Sequence, residues 1–206
     1  MRNSILATTS NVSRETFLPY VDLLLKWNRT INLIGPATEP EIWQRHIEDS
    51  LQLVSEIPAT AKTIADFGSG AGLPGLVIAL ARPDLSVTLV EQDQRKAAFL
   101  TEAKSRLNLA HVTVANQSIE SLIGYYDIVT ARALASLTHL LALAEGKLAP
   151  NGICLFLKGA QAEAELAEAR RAWACEASLI PSAVQEKSYI VSISQFSRTD
   201  LSRGSL

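Results

Sequence analysis

Residues 66–75 read DFGSGAGLPG, which places Gly68, Gly70, Gly72 and Gly75 within eight positions and the carboxylate of Asp66 two residues before the first of them. Glycines this dense mark a loop where a ligand approaches the main chain itself, because a Cβ at these positions would obstruct it. The apolar run before the loop reads as a strand and the residues after it as a helix with Pro74 just inside its start. On that reading several free N–H groups point at whatever lies beyond the carboxyl end of the strand. Asp66 discriminates among the ligands that such loops take. A dinucleotide brings an anionic pyrophosphate, which a nearby carboxylate repels; S-adenosylmethionine brings an ammonium and a sulfonium, which it attracts.

The next strand ends in VTLVEQD and sets Glu91 twenty-three residues after Gly68, where an acidic side chain accepts hydrogen bonds from both hydroxyls of a ribose. NAD and S-adenosylmethionine both carry that ribose, so Glu91 argues for a nucleoside without choosing between them. After the third strand, NQSIES at 116–121 passes the expected position of the adenine, with Ile119 as an apolar wall and Glu120 or nearby backbone reading its edge. His46, His111 and His139 are scattered, and Cys154 and Cys175 form no CxxC pair. We therefore expect no metal, and two reduced, buried cysteines.

If the reaction is methyl transfer, missing motifs narrow the acceptor. The chain has no Pro-Pro pair, and the segment after the fourth strand reads TARALAS, unlike the Pro-Pro-aromatic loops that serve exocyclic amines. Neither cysteine lies where a nucleophile for pyrimidine carbon-5 must stand. What remains is an acceptor already nucleophilic, a ring nitrogen or an oxygen, for which proximity and charge suffice. Guanine N7 is such an atom: it has an in-plane lone pair and no proton to remove. Arg132 and Lys158, at the ends of the fourth and fifth strands, face the same crevice and are the candidate catalytic residues, able to hold guanine O6 or neighbouring phosphates.

The elements that must position these residues follow from periodicity. Short β-branched runs alternate with helical stretches from residue 63 onward, the pattern of a parallel sheet with crossover helices. Strands are expected at 63–67, 86–91, 112–115, 127–131 and 152–158, and helices at 73–81, 94–107, 136–146 and 160–174, with a short turn or helix at 118–123. An antiparallel pair is expected at 177–184 and 188–196. Before the sheet, TFLPYVDLLLKW at 16–27 reads as a helix. A second helix starts near Pro40, capped by Thr38 or Glu39, with Ile42, Trp43, Ile47, Leu51 and Val54 as its apolar stripe. The expected organisation is a helical N-terminal extension, residues 1–60, on a domain at 61–206.

The whole chain of 206 residues, net charge −2, is long enough for a full core and lacks the basic excess of a protein that coats nucleic acid. Its start has no apolar signal region and no stretch approaches the length of a membrane span, so a cytoplasmic protein is expected. LSRGSL at the other end reads as a frayed tail.

Taken together, WNRTINLI at 27–34, RHIEDS at 45–50, DFGSGAGLPG at 66–75, RKAAFL at 95–100, ARALASL at 131–137 and LKG at 157–159 resemble the bacterial small-subunit ribosomal RNA guanine-N7 methyltransferase family, also called glucose-inhibited division protein B. The resemblance spans nearly the full length. It implies a Rossmann-like class I S-adenosylmethionine-dependent methyltransferase fold, with a mostly parallel seven-stranded sheet, and transfer of a methyl group to N7 of a guanine in 16S rRNA, within the small ribosomal subunit. Asp66, Gly68, Gly70, Gly72, Leu73, Glu91, Ile119, Glu120 and Arg132 would then serve the cofactor, and Lys158 RNA or base binding. Two places depart from the family: EQDQRK stands where many relatives carry Asp-Ser, and Lys187 where they often carry Arg-His. Two other readings compete: a nicotinamide-dependent oxidoreductase, and a non-catalytic module that binds S-adenosylmethionine in ribosome assembly.

Overall fold

The computed structural model describes residues 12–199; the start of the chain and the LSRGSL tail lie outside them. Five runs rich in Val, Ile, Leu and Thr form the parallel strands β1 (Thr63–Phe67), β2 (Ser86–Val90), β3 (Val112–Ala115), β4 (Tyr126–Arg132) and β5 (Leu148–Lys158). β6 (Trp173–Pro181) and β7 (Tyr189–Arg198) complete one sheet in the order β3-β2-β1-β4-β5-β7-β6. β7 runs antiparallel to both neighbours, with Phe156 opposite Val191 and Leu179 opposite Val191 on the other side. The chain moves outward from β1 through β2 to β3 and then returns to place β4 on the other side of β1. The crevice outside the carboxyl ends of β1 and β4 is thus the switch point where ligands bind in such sheets.

Helices α3 (Gly75–Ala81), α4 (Gln94–Arg106), α5 (Leu137–Ala144) and α6 (Ala162–Ala172) make the crossovers. Asp93 caps α4, accepting from the N–H groups of Arg95 and Lys96, as a short carboxylate does best. The expected strands and helices of the parallel part are found within a few residues of their ends. The tail is displaced: α6 stops at Ala172 and β6 already begins at Trp173, whose ring is buried edge-on against Phe196 at 5.6 Å. Residues 118–123 form a turn. Cys154 is buried in β5, while Cys175, expected to be buried, is half-buried on β6.

Before the sheet, α1 (Leu18–Asn28) follows a 3-10 turn at Arg14–Phe17 and carries Pro19 in its first turn, where the missing N–H costs nothing. The expected second helix is not regular. Its stretch passes through a 3-10 helix (Pro36–Glu41), a π-helical turn (Trp43–Glu48), one α-turn, α2 (Asp49–Leu51), and a further 3-10 turn (Gln52–Glu56). Pro40 lacks an N–H and crowds the preceding turn. The hydroxyls of Ser50 and Ser55 donate back to His46 O at 2.7 Å and Gln52 O at 2.9 Å, a competition that bends helices. Thr38 caps nothing; its hydroxyl donates to Gly35 O. The apolar stripe nonetheless holds, with Ile42, Ile47 and Leu51 buried and Trp43 and Val54 half-buried.

That stripe and α1 share one apolar core with a face of the sheet: Phe17, Leu24, Ile47 and Leu51 pack with Ile64, Leu76, Val87 and Leu155. Tyr20 Oη donates to Ala71 O in the glycine loop at 2.7 Å, and Trp27 Nε1 to Glu102 on α4 at 3.1 Å. A second core, with Phe67, Phe156, Leu137, Leu140 and Leu166, lies under α5 and α6. Gly75 permits the close approach of α3 to the sheet, since a Cβ there would stand 2.3 Å from Leu89 Cδ2 and 2.7 Å from Asp66 Oδ2. Gly75→Ala is expected to lower unfolding free energy by about 1–3 kcal/mol through overpacking; an unchanged urea midpoint would contradict that packing.

Candidate active site

Two cavities open at the switch point and share a wall made of Arg132, Ala133, Leu134 and Ala135, the segment that leaves β4. One, about 360 Å³, lies over the glycine loop and is lined by Gly68, Gly70, Glu91, Ile119 and Glu120, with Val90, Lys96, Leu134, His139 and Leu143 around them. The other, about 710 Å³, lies between the sheet and the extension, lined by Arg132 and Lys158 with Thr38, Arg45, His46, Asp49, Glu165, Gln185 and Ser188. Six of the nine expected cofactor residues therefore converge on the first cavity and both expected catalytic residues on the second, with Arg132 counted in each.

Asp66, Gly72 and Leu73 are placed elsewhere. Asp66 is fully buried under the loop; its Oδ1 accepts from Thr130 Oγ1 at 2.9 Å and its Oδ2 from Gly75 N at 3.2 Å. It ties α3 and β4 to β1, where the sequence suggested a charge facing the ligand. Leu73 is buried in the core, and a Cβ on Gly72 would meet Leu76 Cδ1 at 2.4 Å, so that glycine serves helix packing. The loop's amides are also largely engaged, contrary to the expectation of free donors. Ser69 N donates to Val90 O, Gly72 N and Leu73 N to Ser69 O, and Gly70 N to Glu91 Oε2 at 2.9 Å. Pro74 precedes the first residue of α3 as its N-cap.

Glu91 also accepts from Asp93 N at 2.8 Å through Oε1. Each carboxylate oxygen keeps a further lone pair for a ribose hydroxyl. Gly70, at φ +54°, has only Gly68 O within 4 Å of a notional Cβ, so the cavity floor there is bare backbone. Asn116, which the sequence reading did not single out, donates to Glu91 O at 2.8 Å and joins the ends of β2 and β3.

In the second cavity the hydrogen bonds and ion pair of the Arg132 guanidinium come, among the described residues, from the extension. Its Nη1 donates to Arg45 O at 3.1 Å and lies 3.7 Å from Asp49 Oδ2; its Nη2 donates to His46 Nδ1 at 3.0 Å. Lys158 Nζ donates to Ala135 O and, at 2.7 Å, to Glu165 Oε2, which also accepts from Leu137 N at 2.8 Å. Lys158 thereby pins the shared wall as well as lining the cavity. Asp49 is buried, and nothing in its spacing announces a partner more than eighty residues away.

Burial pushes the Asp66 carboxyl up to about 6, against the hydrogen bonds from Ser69, Thr130 and Gly75. Burial and the neighbouring Arg132 and Arg45 push His46 down to about 4. The signs oppose. The raised Asp66 contributes stability below its ordinary value of 3.8 that is lost as pH rises through about 6. The lowered His46 contributes stability above 6.5 that is lost as pH falls through about 4. Asp66→Asn removes the first contribution only, so the variant is expected to lose stability between pH 6.5 and 4 more steeply than the parent in urea titrations; parallel profiles would contradict this.

Comparison with known proteins matches the profile of the family described as "rRNA small subunit methyltransferase G" to residues 13–191. The chain belongs to that family. A relative named ribosomal RNA small subunit methyltransferase G from Gluconobacter oxydans is 47% identical over 194 residues, covering 94% of this chain and 99% of its own. Another of that name, from Paramagnetospirillum magneticum, is 47% identical over 198 residues, covering 94% and 95%. Among solved structures, an O-methyltransferase from Bacillus cereus in complex with SAH aligns with TM-score 0.59 at 12% identity over 93% of this chain and 96% of that one. A ribosomal protein L11 methylase from Lactobacillus delbrueckii aligns with TM-score 0.59 at 17% identity, over 73% and 78%. At those identities the likeness shows the fold, Rossmann-like and class I. Membership of the methyltransferase G family sets aside the nicotinamide-dependent reading. Among the described residues no helix is long and apolar enough to cross a membrane, and no cluster of His, Cys, Asp and Glu has the form of a metal site.

Proposed function

We propose that this chain transfers the methyl group of S-adenosylmethionine to N7 of a guanine in 16S ribosomal RNA, within the small ribosomal subunit in the cytoplasm and without a metal. Family membership makes it an S-adenosylmethionine-dependent rRNA methyltransferase. The observation that carries it is the pair of cavities divided by the Arg132–Ala135 wall, one suited to a nucleoside donor and one to a base.

The residues present fit the donor. Glu91 offers carboxylate lone pairs at the end of β2 for the ribose diol, Ile119 and Leu143 an apolar flank for adenine with Glu120 at its edge, and Gly68 and Gly70 bare backbone. When bound, the cofactor supplies an electrophilic methyl on a sulfonium. Asp66 acts beneath the loop, keeping Gly75 and Thr130 in register rather than touching the donor.

On the acceptor side, N7 attack needs no base, and the second cavity is built accordingly. Of its cations, Arg132 pairs with Asp49 and Lys158 with Glu165, while Arg45 pairs with Glu41 outside the lining. Arg132 has five N–H donors; two are bonded to Arg45 O and His46 Nδ1 and the guanidinium also pairs with Asp49, which leaves the N–H groups not used by these partners for guanine O6 or a phosphate. Residues 1–60 act in this reading as an extension that completes the acceptor side of the domain at 61–206. The chain's near-neutral charge, −2 overall, favours a shaped ribonucleoprotein over bare RNA.

The reading is tested in cells. Reduction by borohydride and scission by aniline cut RNA at 7-methylguanosine, so 16S rRNA from cells lacking the gene should lose one such cut that the intact gene restores. Identical cleavage patterns in both would overturn the proposed acceptor.

A further inference from the structure

Arg132 is the one cationic side chain among the described residues that lines both cavities, yet no group of its own domain supplies the hydrogen bonds and ion pair found for its guanidinium. Arg45 O, His46 Nδ1 and Asp49 Oδ2 all come from the extension, from the π-helical turn Trp43–Glu48 and the residue that follows it. Such turns shift the facing of successive residues along a helix and recur at functional sites. Here the turn brings the Arg45 carbonyl and the His46 ring to the same guanidinium.

Geometry fixes the state of His46. A guanidinium nitrogen only donates, so Nδ1, 3.0 Å from Arg132 Nη2, must present its lone pair. The ring proton therefore sits on Nε2 and is donated to Thr38 Oγ1 at 2.9 Å, whose hydroxyl donates onward to Gly35 O at 2.9 Å. The ring is buried, and its pKa is depressed to about 4 by burial and by the Arg132 and Arg45 charges. Asp49 and Glu165 are the carboxylates lining the same cavity.

We infer that His46 is a positioning residue for methyl transfer, a neutral acceptor that the extension supplies to hold the Arg132 guanidinium at the boundary of the donor and acceptor cavities. The inference rests on the function proposed above and deepens it. A fork held at both Nη atoms keeps its remaining N–H groups at fixed points on the cavity wall, whereas a fork released at Nη2 samples other rotamers. Misplacement of a positioning group by about 1 Å costs on the order of 100-fold in rate.

The test compares His46→Leu, which removes the acceptor, with His46→Asn, whose Oδ1 stands near the position of Nδ1. Turnover on small subunits from cells lacking the gene, the KM for subunits, and S-adenosylmethionine affinity by calorimetry are measured for both. His46→Leu is expected to lower kcat by about 10- to 100-fold, the range of one hydrogen bond to a charged group, with cofactor affinity within about threefold. His46→Asn is expected to recover most of that loss. A ring 15N spectrum of the parent protein, independent of how any variant folds, should show Nε2 protonated and Nδ1 not. A ring protonated on Nδ1, His46→Leu at full rate, or His46→Asn as slow as His46→Leu at equal thermal stability would each overturn the inference. The ratio of the two variants is read on whichever nucleoside the parent methylates, so an error in the acceptor atom would be seen separately.

Discussion

Arg132→Ala is expected to lower methyl transfer by at least about 100-fold, the scale on which loss of a positioned charged donor acts, and to destabilise the fold at the same time. The two effects have different origins. The rate falls because the side chain shared by both cavities is gone. Stability falls because Asp49, buried within the extension, is left without its cation 3.7 Å away, and His46 Nδ1 without its donor. Stranding a buried charge and an acceptor costs about 3–5 kcal/mol. Arg132→Lys separates the two. It restores a cation near Asp49 but presents no planar fork, so stability should return in part while the rate stays low. Full activity in Arg132→Lys would show that charge alone suffices at this position.

Glu91→Ala should act on the cofactor and spare the acceptor. Its carboxylate holds Gly70 N at 2.9 Å and Asp93 N at 2.8 Å, bridging the glycine loop and the start of α4, and in the proposed complex accepts from the ribose hydroxyls. Hydrogen bonds to a charged group contribute about 1.5–3 kcal/mol each. Losing even two therefore weakens S-adenosylmethionine binding by roughly 100-fold or more, read by calorimetry, with KM for the subunit nearly unchanged. Glu91→Gln, which keeps one acceptor, should fall between. Unaltered affinity in Glu91→Ala would place the ribose elsewhere.

The sheet was legible because the central strands β1 and β4 and the second half of β5 are largely buried apolar runs, and the switch point followed from the alternation of strands with helices. The donor cavity was legible in part, since the spacing from Gly68 to Glu91 and the NQSIES turn are local signals on consecutive β-α units. Asp66 was misplaced for a physical reason. Its position two residues before Gly68 shows that it stands near the loop but not which side of the strand it faces; β1 turns it inward, to Thr130 and Gly75. The same holds for the loop amides, which the sequence left free and the fold engages with Ser69 O, Val90 O and Glu91.

The acceptor side was the least legible. Arg132 and Lys158 were placed at the crevice because strand ends face it, but the partners of Arg132 stand in RHIED, more than eighty residues earlier, and no spacing rule connects them. The apolar stripe of that segment was read correctly and its helix type was not. Period alone cannot distinguish a regular helix from one interrupted by a proline, two serines bonding back to carbonyls, and a π-helical turn. That irregularity is what brings Arg45, His46 and Asp49 to one side chain.

The most direct measurement incubates the purified protein with methyl-labelled S-adenosylmethionine and small ribosomal subunits from cells lacking the gene, followed by digestion of the 16S rRNA and mass spectrometry of its nucleosides. The account predicts one new labelled 7-methylguanosine per subunit, abolished in Arg132→Ala. Label in any other nucleoside, or none at all from a protein that still binds the cofactor, would contradict it.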